Sequence, residues 1–365
     1  MSLATGDRLA RDLHPVAWWV WALGLAVAAS FTTNPMVLLM LVGVAALVVS
    51  LRRSDQPWGR SFRLYVGLGA VIVAVRVTFW VVFGGWSGGR VLLDLPEVPL
   101  PAWVAGITLL GPLYAQALLF ALYDGLRLAT IVICVGAANS LANPKRLLRS
   151  VPPALYEIGT ALVVAVTVLP QLAESARRVR AAQSLRAGET GRVRSMRRLL
   201  VPVLEDALEH SLALAAGMDA RGYGRAGGAS RAQRRTTGAL MLAGLCGICV
   251  GTYAVLDTTA PRLLALPMLL LGAATATAGL LSAGRRVDRT RYRPDPWRWP
   301  EVAVVVSGVV TGALGWWLSA HQPDVAYPSL DALPPVSGAG LVLAAVALLG
   351  PLCSPPPRLT LGVAA

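Results

Sequence analysis

Met218-Asp219-Ala220-Arg221-Gly222-Tyr223-Gly224 closes one amphipathic run, and Ser184-Leu185-Arg186-Ala187-Gly188 closes the one before it. Both lie in a basic stretch, and on either side of it the chain is apolar over lengths that suit a membrane. A run of roughly 18 or more apolar residues can cross a hydrocarbon core of about 30 Å as a helix. Such runs fall near 16–33, 34–50, 64–84, 115–139, 236–256, 262–283, 301–320 and 337–355. The expected fold is an all-α polytopic membrane protein with about eight transmembrane helices, plus cytosolic amphipathic helices.

Composition points the same way. Of the 365 residues 55% are hydrophobic and 14% charged, where a soluble domain carries about 25% charge. The net charge of +14 is confined: of 33 Lys and Arg, 29 fall at the N-terminus, 51–63, 140–235, 285–299 and the C-terminal tail. Excess Lys and Arg mark cytoplasmic loops. These five segments and both termini are therefore expected on the cytoplasmic side of the plasma membrane. With no base-reading module, the charge speaks for topology and against a nucleic-acid partner.

The same charge map bears on residues 155–169, an apolar run of only 15 residues between basic flanks. A crossing there would put Lys145, Arg146 and Arg149 opposite Arg177, Arg178 and Arg180, so an interfacial or re-entrant helix is expected. Three blocks follow: 1–139 with four spans, 140–235 as the cytosolic block, and 236–365 as a second membrane block. Asn34-Pro35 breaks the first two spans apart, and 85–103 is the longest external loop.

Within the cytosolic block, Leu172, Ala176, Val179 and Ala182 recur at helical spacing, as do Met196, Leu199, Leu200, Val203, Leu208, Leu212 and Met218. Pro202 is expected to kink the second run or mark its start. Each run ends in an arginine shortly followed by glycine. Glycine suits the left-handed residue after a helix end, and a cation suits the negative end of the helix dipole. Two amphipathic helices are thus expected, each with an arginine at its tip. Arginine's flat five-donor fork suits a carboxylate pocket or backbone carbonyls on a partner.

Several stretches resemble the transmembrane T component of energy-coupling factor (ECF) transporters, the family that includes the cobalt-transport permease. They are Leu13-His14-Pro15 through Thr33-Asn34-Pro35, Asn143 to Pro153, Leu169-Pro170 to Arg186, and above all Ala216 to Gly224. The resemblance covers roughly residues 8–256. It implies that Leu185, Arg186, Ala187, Ala220, Arg221 and Gly222 dock two ABC-type ATPase subunits. It also implies a separate substrate-binding membrane subunit that takes up a vitamin or a transition-metal ion. The first tip reads Leu-Arg-Ala where the family has Ala-Arg-Gly, and about three spans continue past residue 256.

No catalytic residue, cofactor or metal site is expected. Lys145 is the only lysine and follows no glycine-rich loop, so a P-loop is impossible and any ATP hydrolysis belongs to other chains. His14, His210 and His321 are scattered. Cys246-Gly-Ile-Cys249 has a redox or metal spacing, but it sits inside a span with no companion ligands, and packing is the expected role. Arg76 in the third span and Asp124 with Arg127 in the fourth are intramembrane charges, which are functional candidates by default. Asp124 and Arg127 can meet on one helix face, as a structural pair or as part of a substrate or proton path. The alternatives to a coupling subunit are a self-contained secondary transporter, which would be expected to show repeats and midplane polar groups, and an intramembrane lipid-modifying enzyme. The latter lacks the further aspartates its motif needs.

Overall fold

The structure, a computed structural model, describes residues 11–53, 61–83, 89–96, 98–99, 108–150, 155–185, 192–223, 230–257, 261–284 and 296–356. The helices are α1 (Pro15–Ser30), α2 (Pro35–Arg52), α3 (Phe62–Phe83), α4 (Ala115–Leu141), α5 (Pro144–Arg149), α6 (Tyr156–Leu185), α7 (Arg192–Ala220), α8 (Arg231–Leu256), α9 (Arg262–Gly284), α10 (Trp299–His321), α11 (Pro323–Ala326) and α12 (Gly338–Leu352). Between α3 and α4 lie β1 (Val91–Asp94), β2 (Val98–Pro99), β3 (Thr108–Leu109) and β4 (Pro112–Tyr114). The antiparallel pairs are β1 with β4 and β2 with β3, so part of the expected external loop is two small nested ladders.

Each of the eight expected spans coincides with a helix. Among the described residues, seven helices are long and apolar enough to cross a membrane: α2, α3, α4, α6, α8, α9 and α10. α1 and α12, at 16 and 15 residues, are shorter apolar helices. The chain is a multi-pass, all-α membrane protein. One expectation needs correcting: 155–169 is not a separate short helix. It is the first half of α6, which continues unbroken through Pro170 to Leu185. At about 1.5 Å per residue such a helix is about 45 Å long.

Local chemistry explains the helix starts. His14 and Asn34 cap α1 and α2, accepting from Val16 N at 3.3 Å and Met36 N at 2.9 Å, with proline at the first helical position of each. Ser230 and Gln233 close a capping box at α8. On α10, Trp299 at the start and Trp316 near the end are exposed. About 26 Å of helix separates them, the spacing of aromatic residues at two membrane interfaces.

The chain packs as two compact units that do not follow the three blocks of chain order: Met1–Leu147 with Asp295–Ala365, and Leu148–Pro294. In the first, α1 is the central helix. It packs against α10 and α4, while α2 packs on α4 and α12, and α3 packs on α4. Glycines set the closest approach: a Cβ on Gly308 would run into the Trp21 backbone, and one on Gly315 would lie 2.6 Å from Ala28 Cα. Buried Trp21 donates Nε1–H to Ala347 O of α12 at 2.9 Å.

In the second unit α8 and α9 form a tight hairpin. Gly244, Gly247 and Gly251 face Ala276, Gly272 and Leu269, the small-residue packing that membrane helices favour. Cys246 and Cys249 are free and exposed on α8, so the packing role expected for them is not borne out. Cys134 is the buried cysteine.

Candidate functional site

The conspicuous local feature of the second unit is how α7 ends. Gly222 N–H donates to Asp219 O at 2.9 Å, and Tyr223 N–H reaches back to Met218 O at 3.0 Å. This pair of bonds is the Schellman cap, which needs a left-handed residue between them. Gly222 supplies it with φ of 75°. A Cβ at Gly222 would meet no atom within 4 Å, so glycine is required by conformation and not by space. The cap leaves Arg221 exposed on the last turn, with Ala220 as the final helical residue.

Gly222→Ala is accordingly expected to cost about 1 kcal/mol, the penalty of a Cβ in the left-handed region. Hydrogen exchange checks this: the amides of residues 222 and 223 should exchange about fivefold faster, with Gly222→Asn intermediate because asparagine tolerates this conformation. Unchanged exchange would show that the cap does not depend on glycine.

α6 and α7 are consecutive and run antiparallel. Arg178 and Asp206 pair across them at 3.3 Å, and a groove of about 410 Å³ opens between the helices. Its lining mixes apolar side chains, among them Val164, Leu172, Leu214 and Met218, with the polar Glu174, Arg178, Asp206 and His210. The Arg178–Asp206 pair is largely exposed and contributes about 0–1 kcal/mol, enough to bias side chains but not to hold the helices. Antiparallel packing sends the two C-terminal ends to opposite ends of the pair. About 30 Å of helix separates Val164, near the Met218 end, from Leu185. Leu185 is the last residue of α6 and is 86% exposed. Arg186 and Ala187 lie outside the described residues.

The intramembrane charges sit in the other unit, and their pairing differs from the expectation. Asp124 of α4 forms its ion pair with Arg76 of α3, not with Arg127. Arg127 instead donates to the carbonyl of Ser30, the last residue of α1, where a cation suits the helix C-terminus. Residues three apart on a helix diverge by about 60° around its axis. Here that divergence is decisive, because α3 approaches α4 at Gly125, where a Cβ would lie 3.3 Å from Arg76 Cβ. Arg76 remains 39% exposed, and a charge near the middle of a membrane helix costs about 2.5–3.5 kcal/mol on insertion scales.

One polar cluster escaped sequence reading. Glu301, in the first turn of α10, is 1% exposed and accepts from Arg11 Nη2 at 2.5 and 2.6 Å and from Arg298 N at 3.1 Å. Arg11 N also donates to Pro356 O at 3.2 Å. The same ends of the chain meet again at Asn34, whose Nδ2 donates to Val325 O at 2.8 Å and Pro335 O at 3.0 Å. Among the described residues no group of three His, Cys, Asp or Glu could hold a metal ion.

Compared with known families, the chain matches the cobalt transport protein (CbiQ) model over residues 6–232. The chain belongs to the cobalt transport protein family. As a member it is a transmembrane transport component. The matched span takes in α1 to α7 and stops within the first residues of α8, so the hairpin α8–α9 and the helices α10 to α12 lie beyond it. A comparison with curated proteins finds no match. The stretches that resemble the ECF T component at Leu13–Pro35, Asn143–Pro153, Leu169–Arg186 and Ala216–Gly224 all fall inside the family span.

Proposed function

We propose that this family member is the energy-coupling transmembrane subunit of an ECF-type ABC importer. Leu185, Arg186 and Ala187 at one helix end, and Ala220, Arg221 and Gly222 at the other, dock two ATPase subunits. The closure of those subunits on ATP is passed through α6 and α7 to a separate substrate-binding membrane subunit, which takes up a vitamin or metal ion. In this reading residues 140–235 are the coupling block, both termini are cytoplasmic, and the membrane is the plasma membrane. Hydrolysis belongs to the partner chains, and this subunit's work is mechanical.

The single observation that carries the reading is the capped, exposed Arg221 at one end of an antiparallel helix pair whose other end leads into Arg186. Tips at opposite ends suit two ATPase subunits side by side, each offered its own guanidinium.

The test is to purify the tagged protein from detergent-solubilised native membranes and quantify the P-loop ATPase chains that come with it. Arg221→Glu should lower their recovery at least tenfold, and Arg186→Glu/Arg221→Glu should abolish it, with membrane yield and monodispersity unchanged. Full recovery of ATPase with the double variant would reject the arginine tips as the main contact. No ATPase with the parent protein, from cells that express one, would reject the coupling role.

A further inference from the structure

We infer that the groove between α6 and α7 binds a phospholipid whose headgroup carries a primary ammonium, with an acyl chain laid along the helices. The inference goes beyond the coupling reading and does not rest on it.

The groove is graded along its length. Arg178 and Asp206 pair across the helices, and Val164 and Met218 line the far end. About 21 Å of helix separates Val164 from Arg178. Val164, Val168, Leu214 and Met218 make one end apolar, while Glu174, Ser175, Arg178, Asp206 and His210 make the other polar. The apolar end belongs to the first half of α6, where residues 158–169 carry no charge, and α6 is long and apolar enough to cross a membrane. That end therefore suits hydrocarbon, and the charged half beyond Leu169 suits the headgroup layer. A volume of about 410 Å³ is ligand-sized. A ligand apolar at one end and polar at the other over this length is a lipid, since a soluble metabolite has nothing to set against Val164, Val168 and Met218.

Ser175 marks the polar end as a binding place. It is 3% exposed, yet its hydroxyl has no hydrogen-bond partner among the described residues. Ser184 and Ser211, on the same two helices, each donate to a carbonyl three residues back. Ser175 does not, and it lines the groove instead. Buried polar groups are nearly always paired, so this hydroxyl is placed to donate to an acceptor in the groove.

Charge selects the headgroup. Arg178 pairs with Asp206 at 3.3 Å, and Glu174, one turn back along α6, has no partner among the described residues. The polar end thus sets two carboxylates against one guanidinium. A primary ammonium brings three N–H donors to Glu174 and Asp206. Its phosphate accepts from Ser175 and from the remaining N–H groups of Arg178. A headgroup that is only anionic would be repelled by the carboxylates, and a choline has no N–H to donate.

The test is photolabelling of the full-length protein in phosphatidylcholine vesicles containing a trace of phosphatidylethanolamine with a diazirine in one acyl chain. Adducts should concentrate in residues 160–172 and 211–218. Unlabelled phosphatidylethanolamine should compete them away at least tenfold better than phosphatidylglycerol. Ser175→Ala and Glu174→Gln leave the Arg178–Asp206 pair in place, so they report on the ligand and not on the fold. The first should lower the adduct at least threefold, and the second should lower the preference over phosphatidylglycerol at least fivefold. Labelling spread evenly over α3 and α8, equal competition by both phospholipids, or no change in either variant would each overturn the inference. Displacement by glycerophosphoethanolamine, the same headgroup without chains, would also overturn it by making the groove a site for a soluble ligand. In native membranes a benzoylphenylalanine at Leu214 should give a phospholipid adduct. A polypeptide adduct there would make the groove a protein interface and reject the lipid.

Discussion

Glu301→Ala is expected to lower the melting temperature of the detergent-purified protein by on the order of 10 °C. The carboxylate is 1% exposed and accepts two short bonds from Arg11 Nη2 and one from the Arg298 amide. Breaking a buried pair by removing one partner costs about 3–5 kcal/mol, since the other charge is left without compensation. For a unit of this size each kcal/mol moves the midpoint by roughly 2–4 °C. Arg11→Ala should be at least as costly, because it orphans the more deeply buried member. Arg11→Met/Glu301→Leu should return close to the parent, because well-packed apolar side chains often replace a buried ion pair at no net cost. Size-exclusion profiles after stepwise heating give the three midpoints. A Glu301→Ala midpoint within about 2 °C of the parent would show that the pair contributes nothing.

That pair was invisible in the sequence for a physical reason. Arg11 and Glu301 are 290 positions apart, and each looks like an ordinary charge at a helix border. What sequence carries well is local. The eight spans were legible because a run of 18 apolar residues has few other folds, and the α1–α2 break because Asn34 caps and Pro35 starts a helix. The α7 tip was legible because a Schellman cap uses only bonds within Met218–Tyr223.

Choices between distant partners were not legible. Hydropathy does not say which side of a helix meets which neighbour, so Asp124 was matched with Arg127 on its own helix when Gly125 had made room for α3 and Arg76. The short apolar length of 155–169 and its basic flanks suggested a separate helix, yet α6 runs on through Pro170, since a proline inside a helix often kinks it without ending it when the turns on both sides hold. The division into consecutive blocks missed that α10 and α12 fold back onto α1 and α2, since Gly308, Gly312 and Gly315 look like the small residues of any membrane helix.

Gly308→Leu should therefore have the largest structural effect of any single substitution considered, namely loss of folded protein from the membrane fraction. A Cβ at position 308 would overlap Trp21 Cα and lie 3.1 Å from Trp21 N and O, all backbone atoms that cannot turn aside. Overpacking a core with a flexible neighbour costs about 1–3 kcal/mol. Here α1 and α10 would have to separate, withdrawing Trp21 from its bond to Ala347 and Asn34 from Val325 and Pro335. Two controls isolate the cause. Gly312→Ala should be near neutral, because its Cβ would meet Gly24 O at 3.3 Å and the adjustable Val27 side chain at 3.5 Å, and Gly43→Leu should be silent, with nothing within 4 Å. Monodisperse yield from solubilised membranes is the readout. The family match ends at residue 232 while α10 and α12 lie beyond it, so the experiment also decides what these added helices are. Loss of the folded protein makes them part of the bundle around α1, with Trp21 dependent on an α12 carbonyl and Thr32 and Asn34 on carbonyls of α11 and of the segment leading into α12. A folded, monodisperse Gly308→Leu protein that still recovers ATPase would make them an accessory whose removal the rest of the bundle survives.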